Sequence, residues 1–214
     1  LWIVERDNRR VQLLRLPGLE PLATFGDDGD EALRKPYGLW VHKLASGDLR
    51  VFVTDNHQTA DAKLPPETGL GHRVHQFLVR QTAGGDYRAT RERRFGATRG
   101  RGVLHVVESI WGDPAQGLLM IADEDQYTQR NVKVYGMDGR FADRTLGGGV
   151  LHFQPEGLAL YDCADGSGWW LATDQGKDAN YFHVFDRRSL EYRGSFTGQR
   201  TLNTDGVWMT RQAL

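Results

Sequence analysis

The chain of 214 residues has a single cysteine, Cys163, so it cannot form an internal disulfide, and the redox compartment stays open. It has no apolar run near the roughly 18 residues that a membrane-spanning helix needs. Its formal net charge is only −1. The composition therefore predicts neither a membrane span nor nucleic acid or an anionic lipid surface as a partner.

Several signatures of catalytic sites are also missing. The seven histidines show no zinc-ligand spacing, and Cys163 lies in a predicted turn. There is no Ser-His-Asp or Cys-His arrangement and no glycine-rich phosphate loop. Long amphipathic helices are absent as well. These absences argue against zinc, triad and nucleotide-binding enzymes and favour an all-β chain.

What the chain does have is a repeated hairpin pattern. Each copy has a small residue, an apolar strand, a Gly/Asp-rich turn and a second apolar strand that ends in aspartate. The copies are PYGLWVHKLASGDLRVFVTDN at 36–56, VESIWGDPAQGLLMIADED at 107–125 and PEGLALYDCADGSGWWLATDQ at 155–175, and TDGVWMT at 204–210 begins a fourth. The small residues near their starts are Gly38, Ser109, Gly157 and Gly206.

A third and a fourth strand follow each complete hairpin. The third strands are RVHQFLVR at 73–80, NVKVYGM at 131–137 and YFHVFDR at 181–187, and the fourth strands close on RRFG, RTLG and GSFTG. Four antiparallel strands per unit predict an all-β fold, a β-propeller of four-stranded blades. The alternative is a β-sandwich, but a sandwich has no reason to repeat its hairpin chemistry.

We predict one domain over residues 1–214. Its parts are a partial blade at 1–35, complete blades at 36–100, 105–150 and 155–198, and the first strand of a further blade at 204–210. A polar insertion at 56–71 lengthens the first complete unit. Because Leu1 falls inside an apolar strand, we expect the middle of a larger propeller. The alternative is a four-bladed ring, closed when 204–210 joins the first three strands.

Acidic side chains recur where the first strands begin, at Glu108, Glu156 and Asp205. Counting outward from the turns, hairpin symmetry predicts that Glu108 pairs with Glu124 and that Glu156 pairs with Gln175. Because first strands are innermost, these side chains are expected at one rim of the central channel. Repeated carboxylates repel unless a cation lies among them, and hard oxygen ligands suit Ca²⁺. The alternative is that these acids merely end strands and solvate the loops.

Basic side chains are expected at the same rim, in the loops that join strands and blades. Arg99 and Arg101 end the arginine-rich stretch 88–101, and Lys177 follows the second strand of the last complete blade. The planar guanidinium suits phosphate oxygens. Arg99, Arg101 and Lys177 are therefore the candidate substrate-binding residues.

The segment from PEGLALYDCADGSGWWLATDQGKDANYFHVFDRRSLEYRGSF to NTDG resembles the β-propeller phytases. That family has an EGL start, a Gly-rich turn, a strand that ends in S/T-x-Q-G and a V/R-G-S-F close. VESIWGDPAQGLLMIADED is similar to the preceding phytase blade, with its acid at the start and its A-E/D-E-D run. The resemblance is good over 107–210 and general over 1–106.

The resemblance implies a six-bladed propeller that hydrolyses phosphomonoesters of inositol phosphates with Ca²⁺ at the top of the channel. It implies calcium- or water-binding positions at Glu108, Glu124, Glu156, Gln175 and Asp205, with Glu156 and Glu124 as the catalytic residues. A metal-bound water would attack phosphorus, and basic residues would neutralise the phosphate. It also implies a secreted or periplasmic protein.

Two main hypotheses for function follow. The first is a 3-phytase-like, calcium-dependent phosphoric monoester hydrolase that acts on phytate or a related phosphorylated small molecule. The second is a non-catalytic binding propeller that a metal ion stabilises. A lactonase-like calcium propeller is a third hypothesis.

Overall fold

The computed structural model describes residues 1–29, 32–125 and 130–210; residues 30–31, 126–129 and 211–214 of the predicted domain lie outside the described residues. The described chain forms four antiparallel sheets. The first has β1 (Trp2–Glu5), β2 (Arg10–Leu14) and β3 (Pro21–Phe25); the second has β4 (Pro36–Lys43), β5 (Leu49–Asp55), β6 (Val74–Gln81) and β7 (Tyr87–Phe95); the third has β8 (Val107–Asp113), β9 (Leu118–Asp123), β10 (Asn131–Gly136) and β11 (Phe141–Leu146); the fourth has β12 (Gln154–Asp162), β13 (Gly168–Gln175), β14 (Asn180–Asp186) and β15 (Tyr192–Thr197). The prediction of an all-β propeller with four-stranded blades is confirmed.

Helical structure is confined to short connections. The insertion contains one turn of helix, α1 (Glu67–Leu70), and a 3₁₀ turn spans Gly100–Gly102. Among residues 1–29, 32–125 and 130–210, no helix is long and apolar enough to cross a membrane.

The small residues that open the blades let the first strands pass close to one another. A Cβ atom on Gly38 would lie 2.5 Å from the carbonyl oxygen of Glu108 and 2.8 Å from Cα of Ser109. A Cβ atom on Gly157 would likewise lie 2.8 Å from Cα of Gly206. The strands β4, β8 and β12 are therefore the inner edges of adjacent blades, and β8 contacts both of the others.

The segment 204–210 lies where the first strand of a following blade is expected, because Gly206 and Val207 pass against Gly157. It forms no regular strand, since none of the described strands pairs with it. In particular, it does not add to the sheet of β1, so the ring closure considered from the sequence is not formed here.

Large apolar side chains fill the space between neighbouring blades. The interface of the first two complete blades buries Trp40, Phe52, Ile110, Leu119 and Tyr135, and the next interface buries Met120, Val134, Trp170 and Phe185. Across the latter interface, Arg187 also forms a buried two-pronged ion pair with Asp113, at 2.6 and 2.7 Å. These contacts hold the inner strands in place.

In each complete blade, a buried aspartate at the end of the second strand anchors the chain that enters the same blade. Each carboxylate accepts two backbone N–H groups: Asp55 from Arg34 and Lys35, Asp123 from His105 and Val106, and Asp174 from His152 and Phe153. Each also faces a basic side chain of the third strand, namely His75, Lys133 and His183 respectively. The aspartates that end the repeats are thus structural.

Replacing Asp174 with asparagine is expected to lower the free energy of unfolding by about 2 kcal/mol at pH 7, because charged hydrogen bonds are lost. Burial alone raises the pKa of Asp174, but hydrogen bonds from His183 and from two backbone N–H groups outweigh it and hold this pKa below its ordinary value. The stabilisation is therefore present above the ordinary pKa and is lost as the pH falls through the folded-state pKa. Denaturant unfolding at several pH values checks this. The difference in free energy of unfolding between wild type and Asp174→Asn should become smaller in acid. The exposed Asp178, replaced with asparagine, is the control, and a gap that is constant with pH would contradict the prediction.

Candidate functional site

One extra residue at the start of each first strand sets the geometry of the site. The pairing of first and second strands shifts between Pro36 and Leu39, between Val107 and Ile110, and between Pro155 and Leu158. Such a β-bulge re-aims the side chain of the bulged residue. The bulge positions hold Tyr37, Glu108 and Glu156, and Asp205 precedes Gly206 in the same way.

The bulges also correct the predicted pairing. Val107, and not Glu108, is opposite Asp123, while Gln175 is opposite Gln154 instead of Glu156. The pairs predicted from hairpin symmetry were wrong for two reasons. Each turn is centred half a residue before the position assumed in the count, and the bulge then shifts the pairing by one more residue.

Glu108 and Glu156 are buried carboxylates in an unfavourable environment. They are 3% and 5% exposed, and the Oε2 atom of each accepts no hydrogen bond from any described residue. Burial, and then the negative charge of Glu124, raises the pKa of Glu108 to about 8. Burial, and then the charges of Glu108, Glu124 and Asp205, raises the pKa of Glu156 to about 9. These four side chains are thus close enough to repel one another.

Tyr37 belongs to the same cluster, and sequence reasoning missed it. Burial raises its pKa, and the charges of Glu108, Glu156 and Asp205, together with a hydrogen bond to Glu108, act in the same direction. Asn56 donates a further hydrogen bond to Oε1 of Glu108, at 3.2 Å. The signal was in the sequence, because Tyr37 stands directly before the small residue of its repeat, as Glu108 and Glu156 do.

The remaining predicted ligands lie around this cluster and have polar partners. Glu124 is half-buried and accepts a hydrogen bond from the Gln154 side chain. The Gln175 side chain donates to Oδ1 of the exposed Asp205, at 2.8 Å. The predicted carboxylates are therefore gathered by the fold, while Gln175 reaches Asp205 across to the following segment.

A cleft of about 470 Å³ opens beside Glu124. Lys177, a predicted substrate-binding residue, lines it together with Glu124, Gln154 and Phe153. Arg130 lines it as well, with its guanidinium donating to the carbonyl of His152. Sequence reasoning did not single out Arg130, which lies just before the third strand, outside the arginine-rich stretch. The cleft thus places two cations next to a carboxylate of the cluster.

Arg99 and Arg101 lie elsewhere. Arg99 is paired with Glu67 of α1, and Arg101 is paired with Asp143 at 2.7 Å. Both arginines line a different cleft, away from Glu124 and Lys177.

The donor chemistry of the cluster fits a divalent cation. Two buried carboxylate oxygens lack partners among the described residues. Burial and then neighbouring negative charges raise the pKa values of Glu108 and Glu156, and a cation would relieve both effects. Oxygen donors of this kind are the ligands that Ca²⁺ takes. Within the described ranges, however, no three His, Cys, Asp or Glu side chains are grouped closely enough to hold a metal ion.

Comparison with known proteins supports the fold at the level of a protein family. No curated protein matches the sequence. A family model described as Phytase matches residues 98–212, which include Glu108, Glu124, Glu156, Gln175 and Asp205. The chain therefore belongs to the phytase family, a family of phytase-like hydrolases.

Proposed function

We propose that the chain is a calcium-dependent phosphomonoesterase that acts on phytate or a related phosphorylated small molecule. One observation carries the proposal. Two buried carboxylates, Glu108 and Glu156, lie close enough to Glu124 for its charge to raise their pKa values, and Glu124 lines a cleft together with Arg130 and Lys177. Membership of the phytase family supports the same reaction class.

The carboxylates of the rim are the proposed metal ligands. Glu108 and Glu156 would hold the cation through their unpartnered Oε2 atoms, and Glu124, Gln175 and Asp205 would complete the oxygen set. Bound calcium supplies charge that neutralises the phosphate and lowers the pKa of a water. The bulges fix the two buried carboxylates on rigid inner strands, which favours a preorganised site.

Glu124 and Glu156 are the proposed catalytic residues. Glu124 faces the cleft, where its carboxylate can accept a proton from the attacking water. Glu156 would act from the inner strand β12 by holding the cation in position beside the phosphate. Lys177 and Arg130 bind and neutralise the phosphate oxygens from the wall of the cleft. Tyr37 keeps Glu108 in position through its hydrogen bond.

A non-catalytic binding propeller is the second candidate. The absence of a three-ligand group among the described residues favours it, because catalysis needs a more complete set of ligands. In that case calcium would bind and stabilise the propeller without turnover.

Phosphate release from phytate distinguishes the two. We expect release with millimolar calcium and none after the metal is removed with a chelator, since calcium would supply the charge that neutralises the phosphate. The chelated protein, resupplied with calcium, is the control for loss of fold. Calcium binding with no phosphate release would contradict the enzyme and leave the binding propeller.

A further inference from the structure

A second cleft, of about 650 Å³, has a lining unlike that of the first. It lies between α1, the connection from β7 to β8, and the strands β10 and β11. The polar residues used below are Arg99, Arg101, His105, Asn131, Lys133 and Thr145. No aspartate or glutamate of the described chain is among its lining residues.

Two polar side chains of this lining are almost completely buried. Asn131 is 2% exposed, and its Oδ1 atom accepts no hydrogen bond from the described residues. Lys133 is 4% exposed. Burying a hydrogen-bond acceptor without a partner costs free energy, so the Oδ1 atom of Asn131 marks a position where a ligand hydroxyl would be favourable.

The two arginines of the cleft form ion pairs that are largely exposed to solvent. The side chains of Arg99 and Arg101 are 84% and 74% exposed in their ion pairs with Glu67 and Asp143. Ion pairs this exposed contribute little stability, so an oxyanion in the cleft can take over either guanidinium at small cost. Behind Lys133, the carboxylate of Asp123 is occupied by the backbone N–H groups of His105 and Val106.

We propose that this cleft binds a phosphate ester of a polyol, independently of the carboxylate cluster. Arg99, Arg101 and Lys133 would bind the phosphate oxygens, and a neighbouring hydroxyl of the ligand would donate to Oδ1 of Asn131. The two clefts share no lining residue. They are linked by His105 and Asp125, whose Nδ1 and Oδ2 atoms lie 3.7 Å apart.

Calorimetric titration with glycerol 3-phosphate in the presence of a chelator tests the proposal. The chelator removes the cation that the first cleft is proposed to use. Because the two clefts share no lining residue, variants of the second cleft then show where the ligand binds. We expect saturable binding that Arg101→Gln and Asn131→Asp each weaken at least about tenfold, the effect of about 1.4 kcal/mol. Arg88→Gln, which removes an exposed arginine of β7 outside the cleft, should bind like wild type.

A second arm identifies the source of the phosphate. If calcium and phytate, added together, compete with glycerol 3-phosphate, the cleft holds a phosphate of the substrate; if they do not, it takes a separate phosphorylated polyol. Either result supports the cleft. The proposed cleft would be wrong if glycerol 3-phosphate did not bind in chelator, or if Arg88→Gln weakened its binding as much as Arg101→Gln does. Because this arm needs no turnover, an inactive protein would count against the proposed hydrolysis and leave the cleft standing.

Discussion

Replacing Glu156 with glutamine is expected to lower the rate of phosphate release from phytate by at least about 100-fold, a loss typical of one preorganised electrostatic group. Glutamine has nearly the same shape, so the inner strand β12 should be unchanged. With calcium bound, the variant would lack one buried negative charge and the Oε2 acceptor, which has no partner in the described protein. The variant would therefore hold calcium more weakly and neutralise the phosphate less well.

The same substitution should stabilise the metal-free protein. Because the pKa of Glu156 is raised to about 9, its contribution to stability is present below the ordinary carboxyl pKa and is lost as the pH rises through about 9. Glutamine does not titrate, so Glu156→Gln does not lose this stability as the pH rises. In chelator at pH 9, its melting temperature should exceed that of wild type, while added calcium should raise the wild-type value more.

Steady-state phosphate release and melting curves, each with and without calcium, check both effects. Glu191→Gln, which alters a carboxylate outside the cluster with a 67% exposed side chain, is the matched control. Activity of Glu156→Gln equal to that of wild type would remove Glu156 from the mechanism. An equal calcium response in both proteins would remove it from the metal site.

The fold could be predicted because each repeat shows the residue types that local steric and turn constraints require. Gly38 and Gly157 are small because the next inner strand leaves no room for a Cβ atom. Alternating apolar residues and turn glycines specify the hairpins without reference to the rest of the chain. Such constraints act over a few residues, so a single sequence displays them directly.

The site was harder to predict because its geometry depends on the bulges. An inserted residue does not interrupt the apolar pattern, so Glu108 and Glu156 could be placed at the right rim and still be assigned the wrong partners. Tyr37 does not belong to the pattern of repeated acids, because the fold repeats the position and varies the chemistry of the residue that occupies it. The clefts depend on several blades at once, and the position of Arg130 relative to Lys177 had no sequence signal.

Arg73 is the clearest example of an interaction between blades that the sequence does not predict. This arginine opens the segment RVHQFLVR, where a charged residue ordinarily means an exposed strand end. It is instead completely buried. Its guanidinium donates to four backbone carbonyls, those of Asp55, His57, Leu104 and His105. Two of these carbonyls belong to its own blade and two to the connection that enters the next blade. A local sequence pattern therefore could not predict that Arg73 bonds to these four carbonyls.

Replacing Arg73 with methionine is expected to lower the free energy of unfolding by about 3–5 kcal/mol, the range for breaking a buried charged network. Methionine fills similar volume but leaves three buried carbonyls and the half-buried carbonyl of His105 without this donor, and each unsatisfied buried group has its own desolvation cost. Burial lowers the pKa of Arg73 to about 10, so the guanidinium is charged at neutral pH and the loss should be nearly constant between pH 6 and 8. Denaturant unfolding measures it, with Arg88→Met on the exposed edge strand as the control. A loss below about 1 kcal/mol, the size expected of an ordinary surface change, would mean that the four carbonyls find other donors and that Arg73 does not hold the two blades together.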